Sequence, residues 1–336
     1  MNQIIIPAGY TPKLDPHQVQ LAIGFIKNEF QAALSKRLNL WRVSAPLFVD
    51  PDAGINDNLS GVERPVSFDI PAIGSTGGEI VHSLAKWKRV ALKQYGFSMH
   101  EGLFTDMNAI RRDEELDNLH SIYVDQWDWE KIIAPEDRTR EYLKSTVKAI
   151  AEAIAETNEG LKVHFPELNA KFNSDVTFID TQEAEELYPA LSPEEREFAI
   201  TGKYGTVFIM GIGDKLQSGI PHGKRAPDYD DWQLNGDLLV WDEVLARPVE
   251  LSSMGIRVDP VSLSEQLTKA GCEERRALPY HRMLLNKELP LTIGGGIGQS
   301  RLCMVLMQCA HIGEVQSSLW DKETIEKCKA GNVPLL

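Results

Sequence analysis

Residues 292–302 read TIGGGIGQSRL, with glycine at four of five consecutive positions and then an arginine. Two phosphate-cradling templates can be tested on this stretch. A P-loop needs a Lys after its last glycine, and none follows here. The dinucleotide fingerprint needs a third glycine where Gln299 stands. What remains is glycine backbone running into the apolar segment LCMVLM, with Arg301 at the junction. A tight strand-to-helix turn accounts for the glycines but not for the arginine. Glycines admit a ligand close to the backbone, and an arginine just beyond can pair with phosphate or stack on a flat base.

Working outward, other segments supply complementary groups. The stretch LHSIYVDQWDWEKII (residues 119–133) alternates as a strand does. Val124, Gln126 and Asp128 then share one face, with Asp125 and Trp127 on the other. Upstream lie Arg111, Asp113, Glu114 and His120. Residues 226–257 concentrate Asp228, Asp230, Asp231, Asp237, Asp242, Glu243 and Glu250. Two carboxylates about 4 Å apart repel by roughly 4 kcal/mol at an effective dielectric near 20, so acids converging in a cleft need a cation. Asp242 and Glu243 are expected to face water. Glu250, in the otherwise small and apolar VELSSMGIR, either pairs with Arg257 or holds an ion. Arginines, carboxylates and glycines together meet the needs of a nucleotide site.

The 336 residues are 43% hydrophobic and 25% charged, the balance of an ordinary globular protein with a sizeable core. A net charge of -14 argues against a long polyanion as main partner, since Lys and Arg supply most nucleic-acid affinity. No apolar run reaches the length of a membrane span. Cys272, Cys303, Cys309 and Cys328 form no Cys-x-x-Cys pair, so reduced thiols in a cytoplasmic protein are expected, without a zinc site.

Helical spacing is clear over residues 15–38, behind an Asp15-Pro16 cap. WRVSAPLFVD reads as one strand, and VSFDI with EIVHSL as a hairpin around GSTGG. A helix is expected over SLAKWKRVALKQYG, ending at Gly96, and a surface helix with an apolar stripe over residues 138–161. TVFIMGIG, DLLVWDEV and VELSSMGIRV are further strands. Helices and strands do not alternate regularly, so the expected class is α+β, with a mixed, mostly antiparallel sheet flanked by helices.

Seven blocks in order carry a resemblance: DNLSG, VHSLAKWKR, LHSIYVDQWDWE, APDYDDW, LNGDLLVW, ELSSMGIR and TIGGGIGQSRL. They resemble the ammonia-dependent asparagine synthetases, or aspartate–ammonia ligases. Arg111-Arg112-Asp113 and GGGIGQSR are similar to motifs 2 and 3 of the related class II aminoacyl-tRNA synthetases. The blocks span residues 57–301, nearly the whole chain.

The resemblance implies a class II synthetase-like core and one catalytic domain over residues 1–336, working as a cytoplasmic homodimer. The reaction would join aspartate and ammonia at the expense of ATP, with Mg²⁺, through a β-aspartyl adenylate, releasing AMP and pyrophosphate. The implied aspartate contacts are Asp57, Lys88, Arg111, Gln126 and Asp230. The nucleotide side would use Ser121, Asp237, Leu251, Ser252, Gly296 and Arg301, with Asp237 and Glu250 on the metal. Lys88, Arg111 and Arg301 would act in catalysis by charge stabilisation. An enzyme charging tRNA with aspartate and a non-catalytic regulatory relative are the rivals. The acidic balance and the lack of a spare segment for an anticodon domain weigh against the first, and the filled charged positions against the second. Only Gln233 separates DYDDW from LNGD, where the resemblance leads one to expect a longer loop. Residues 1–16 read as an extension.

Overall fold

The computed structural model describes residues 4–59, 61–74 and 77–336. The first helix, α1 (Pro16–Leu38), shows how local chemistry sets an element. Asp15 accepts from the Gln18 backbone while the Gln18 side chain returns to the Asp15 N–H, and Pro16 fixes the first turn. Val19, Ala22, Ile26, Phe30 and Leu34 fall three or four apart and are buried. Asn39, in the left-handed region at φ 58°, ends the helix.

The strands are β1 (Leu40–Arg42), β2 (Phe48–Val49), β3 (Ser67–Asp69), β4 (Gly77–Ile80), β5 (Gly102–Ile110), β6 (Tyr123–Ile132), β7 (Thr177–Asp180), β8 (Thr206–Met210), β9 (Asp230–Asp242), β10 (Arg247–Arg257) and β11 (Thr292–Gly298). The remaining helices are α2 (Ala85–Gln94), α3 (Arg140–His164), α4 (Thr181–Leu187), α5 (Pro193–Tyr204), α6 (Pro260–Ala270), α7 (Pro279–Leu285), α8 (Gln299–Met307) and α9 (Lys322–Ala330). Eight strands form one sheet in the order β1-β5-β6-β11-β10-β9-β8-β7. The pairs β1–β5 and β7–β8 are parallel and the rest antiparallel, which is the mixed, mostly antiparallel α+β architecture expected. A small sheet, β2-β4-β3, contains the expected hairpin.

The strand β6 divides the molecule. Trp127 and Trp129 turn to one face, where Phe30 of α1 meets Trp127 at 4.6 Å between ring centroids and α1, α3 and α8 complete the core. Gln126, Asp128 and Glu130 turn to the other face, which forms the wall of a cleft roofed in part by α2.

Several expectations need correction. WRVSAPLFVD is not one strand: Leu40–Arg42 joins the large sheet and Phe48–Val49 the small one. Pro46 between them has no N–H to continue a ladder. The helix α3 is the amphipathic surface helix expected: ten of its residues, Leu143 to Leu161, form a buried stripe, and the others are half-buried or exposed. Asp242 does not face water: it is buried and accepts from the Leu245 N–H at 2.7 Å in the turn after β9. Glu243 is exposed beside Lys171, as expected. The DYDDW–LNGD junction is continuous strand β9, so this segment provides no lid.

The glycine run is no turn either. It is β11, between β6 and β10 in the middle of the sheet, and its glycines have ordinary negative φ. They are needed for space. A Cβ on Gly294 would collide with the Glu130 carboxylate and lie 2.8 Å from Arg257 Nη2. One on Gly296 would collide with the Gln126 amide and lie 2.8 Å from Asp128 Oδ1. The absent side chains make room for charged ones on the neighbouring strands.

Candidate active site

One cleft of about 350 Å³ lies over β6, β11, β10 and the start of β9. It gathers Asp57, Lys88, Arg111, Gln126 and Asp230, the expected aspartate contacts. Ser121, Glu250, Leu251, Gly296 and Arg301 line the same cleft. Asp237 and Ser252 do not. A register shift at Leu251 gives β10 a bulge, so Glu250, Leu251 and Ser253 line the cleft. Ser252 is buried, and its hydroxyl has no hydrogen-bond partner. Asp237 stands on the next strand, opposite Ser253 in the ladder, and its Oδ1 takes a 2.6 Å hydrogen bond from Arg225.

At one end the charges are already paired. Arg257 donates through Nε and Nη2 to Glu130 Oε2 at 3.0 and 2.9 Å, and through Nη1 to Asp230. All three side chains are at most 3% exposed. Arg257 therefore does not pair with Glu250. Burial pushes the Asp230 carboxyl up, against the pull of Arg257 and Arg225. Thr292 holds the other Glu130 oxygen at 2.7 Å.

Lys88 enters from α2, pairs with Asp128 at 3.2 Å and donates to the Gly295 carbonyl at 2.9 Å. Burial lowers its pKa, opposed by the charges of Asp128 and Glu130. Asp57 accepts from Ser83 Oγ at 2.6 Å and from the Leu59 N–H. Beneath this end, buried Asp228 gathers Lys86, His281 and Arg275 within 3.4 Å, fixing the APDYD segment against α2 and α7. With those partners its pKa lies below the usual carboxylate range although it is buried.

The other end is looser. Arg301 lies 3.9 Å from the Glu250 carboxylate and donates to the Glu250 backbone carbonyl at 3.1 Å. The Glu250 side chain, 42% exposed, stands in the open cleft. Its pKa is raised by the protein crowded around it and then by the charge of Asp237. Arg111 reaches Glu114 only at 3.9 Å, and its Nε has no hydrogen-bond partner. Ser121 donates to Ser318 at 2.7 Å.

Sequence reasoning missed Arg225, Tyr229 and Ser253, all in the cleft, and read Arg257 only as a partner for Glu250. Arg225 stands directly before a quoted block, and Arg257 is the last residue of ELSSMGIR. Among the described residues, no three or more His, Cys, Asp or Glu side chains form a group able to hold a metal. Asp237 and Glu250 still suit Mg²⁺, which usually takes one or two protein carboxylates and completes its shell with phosphate oxygens and water.

A central, mostly antiparallel sheet carrying a cleft, with an arginine at the start of the helix after β11, is the class II synthetase-like fold. The fold is similar to asparaginyl-tRNA synthetase from Pyrococcus horikoshii complexed with asparaginyl-adenylate: TM-score 0.65, 13% identity, 89% of this chain and 68% of that one. Aspartyl-tRNA synthetase from Entamoeba histolytica is similar at TM-score 0.59 and 14% identity, over 89% of this chain and 58% of that one. Residues 17–332 match the family described as aspartate-ammonia ligase. The chain is 60% identical to the aspartate–ammonia ligase of Lactobacillus johnsonii, over 99% of each chain. It is 56% identical to that of Ruminiclostridium cellulolyticum over the whole of both. The chain belongs to the aspartate–ammonia ligase family, whose members are ligases making asparagine from aspartate and ammonia.

Proposed function

We propose that the chain makes asparagine in this cleft by activating the side-chain carboxylate of aspartate with ATP. A β-carboxylate oxygen attacks the α-phosphorus, the bond to pyrophosphate breaks, and β-aspartyl adenylate forms. Ammonia then attacks the acyl carbon, AMP leaves with the bridging oxygen, and one proton is released. The paired end receives aspartate: Arg257 and Lys88 offer cationic surface to carboxylates, while Asp57 and Asp230 suit the substrate ammonium, with Gln126 alongside. Arg111, between the two ends, offsets charge as it moves onto the α-phosphate. The looser end receives the nucleotide, where Ser121, Leu251 and Gly296 shape the wall and Arg301 meets the distal phosphates.

Asp237 and Glu250 would hold Mg²⁺, which supplies charge neutralisation to the phosphates when bound. Asp237 would then share its carboxylate between the metal and Arg225. Ser252, buried behind the bulge, would serve the nucleotide side by supporting β10. Little covalent chemistry falls to the protein, and orientation with fixed charge supplies the acceleration. Residues 1–336 act as one catalytic unit in a cytoplasmic homodimer. The exposed Trp41, Leu47 and Phe48, on β1 and near the small sheet, offer apolar surface for such contact, which sedimentation of the purified protein would test.

The observation that carries this reading is the convergence of Arg111, Glu250 and Arg301 with Lys88 and Asp230 in one cleft. Its test is aspartate-dependent ATP–pyrophosphate exchange. Removing one preorganised charge of this kind costs on the order of 10²–10³ in rate. Arg301→Ala and Lys88→Ala are each expected to lose exchange on that scale; unchanged turnover in the folded variants refutes the assignment. Product formed from free aspartate in the presence of RNase separates this activity from tRNA charging.

A further inference from the structure

Residues 4–10, ahead of the family-matched region, are seated across the end of the chain. Ile6 packs on Gly331, where a Cβ would lie 2.7 Å from its side chain. Ile6 and Tyr10 also cover the small core of Ala310, Cys328 and Val333. Two polar anchors run inward from this strap. The first is Asn118, 1% exposed, whose amide accepts from the Ile5 N–H at 2.8 Å and donates to the carbonyls of Ile5 and Ala310 at 2.7 Å each. The second is Glu314, 3% exposed: Oε2 accepts from the Tyr10 hydroxyl at 2.8 Å, and Oε1 accepts from the N–H groups of Ala310 and His311 at 2.7 and 3.0 Å.

Both anchors sit directly behind the nucleotide end of the cleft. Residues 119–121 follow Asn118 and line it, and the Leu119 carbonyl accepts from Arg301 Nε at 3.5 Å. Ile312 and Gln316 flank Glu314 and line it as well. The Ile312 N–H donates to the Asn118 carbonyl at 2.8 Å, which joins the two wall segments to each other. Gln316 continues to Ser300 and Asp125 at 3.0 and 3.2 Å. Asn118 and Glu314 therefore have no open face toward the cleft, yet every segment they hold has one.

We propose that residues 4–10 are a clamp that sets the nucleotide wall, with Asn118 and Glu314 as positioning residues acting through residues 119–121, Ile312 and Gln316. The inference rests on the placement of ATP at this end of the cleft. At the aspartate end, the Arg257–Glu130 pair and the Asp228 cluster make no direct hydrogen bond to residues 4–10, Asn118 or Glu314 among the described residues.

The test compares Michaelis constants for ATP and for aspartate in the full-length protein carrying Tyr10→Phe or Asn118→Ala. Tyr10→Phe removes one hydroxyl and keeps the ring, so it reports even where Asn118→Ala fails to fold. One hydrogen bond of this kind amounts to about a five-fold change in an equilibrium. The expected result is a rise of about that size in KM for ATP for Tyr10→Phe and a larger one for Asn118→Ala, with KM for aspartate unchanged. An unchanged KM for ATP in folded Tyr10→Phe, or a parallel rise for both substrates, overturns the clamp. Arg301→Ala measured alongside separates the two readings: if it weakens ATP and Tyr10→Phe does not, the clamp alone fails. If Arg301→Ala leaves ATP untouched, the nucleotide placement fails.

Discussion

The two ends of the cleft solve the same electrostatic problem differently. At the end proposed for aspartate, Arg257, Glu130 and Asp230 form a buried, hydrogen-bonded triad, and Lys88 is closed onto Asp128 and Gly295. At the end proposed for the nucleotide, Arg301 and Glu250 stand 3.9 Å apart and the Glu250 side chain is 42% exposed; Arg111, between the two ends, has only a distant acid. Fixed charges that already satisfy one another present a rigid surface to a small, invariant substrate. Charges left incomplete suit a ligand that brings its own, as triphosphate with a cation does. Both ends belong to one sheet, so the difference lies in side chains and not in scaffold.

This contrast breaks most visibly in stability. Arg257→Ala leaves buried Glu130 without its ion-pair partner and buried Asp230 with only Arg225 at 3.9 Å, and losing one partner of such a cluster costs about 3–5 kcal/mol. Arg301→Ala removes a half-exposed, loosely spaced contact, for which the cost is about 1 kcal/mol or less. Urea unfolding of the two variants measures both. Equal losses would erase the distinction between a preformed end and an open one.

The glycines of β11 sharpen the same comparison at a lower cost. Gly294 faces the triad, and an added methyl displaces Glu130 or Arg257. Gly294→Ala is therefore expected to destabilise by roughly 1–3 kcal/mol, the usual range for an overpacked site. It should also raise KM for aspartate while leaving that for ATP near its original value. A fully active Gly294→Ala with unaltered aspartate affinity would show that the triad does not need this space.

What the sequence disclosed follows the range of the forces involved. The cap of α1 is written within four residues, Asp15 to Gln18, and was legible. So was the alternation of β6, because one face meets the core and the other the cleft. The strand β5 escaped notice: it lies between β1 and β6, is buried on both faces over most of its length, and so loses the period of two. The glycines of β11 suggest close approach of a ligand or a strand-to-helix turn, because glycine usually breaks a strand, and only Glu130, Gln126, Asp128 and Arg257 on the neighbouring strands explain them. Among the site residues, the quoted blocks marked the cleft, but pairing was hidden. Nothing local says that Arg225 is spent on Asp237, or that Arg257 belongs to Glu130 rather than to Glu250. The bulge that turns Ser252 away from the cleft is likewise a property of register with β9, not of the string ELSSMGIR.

The smallest expected effect concerns Glu250 alone, and its sign is diagnostic. The folded protein raises the Glu250 pKa above 4.5, through the protein crowded around the cleft in which this partly exposed side chain stands and then through the charge of Asp237. A carboxyl with a raised folded-state pKa binds its proton more tightly in the folded chain. Its contribution to stability is therefore fully present below about pH 4.5 and is lost as pH rises through the folded value. At neutral pH the ionised side chain is a small liability, kept for what it can bind. Glu250→Gln should thus unfold at an equal or slightly higher urea concentration than the parent at pH 7.5, with the gap closing as pH falls toward 4.5. The same variant should lose pyrophosphate exchange at pH 7.5. If it were less stable than the parent at neutral pH, attraction to Arg301 would outweigh the crowding around Glu250. The nucleotide end would then be as self-sufficient in charge as the aspartate end, and the contrast between them would not hold.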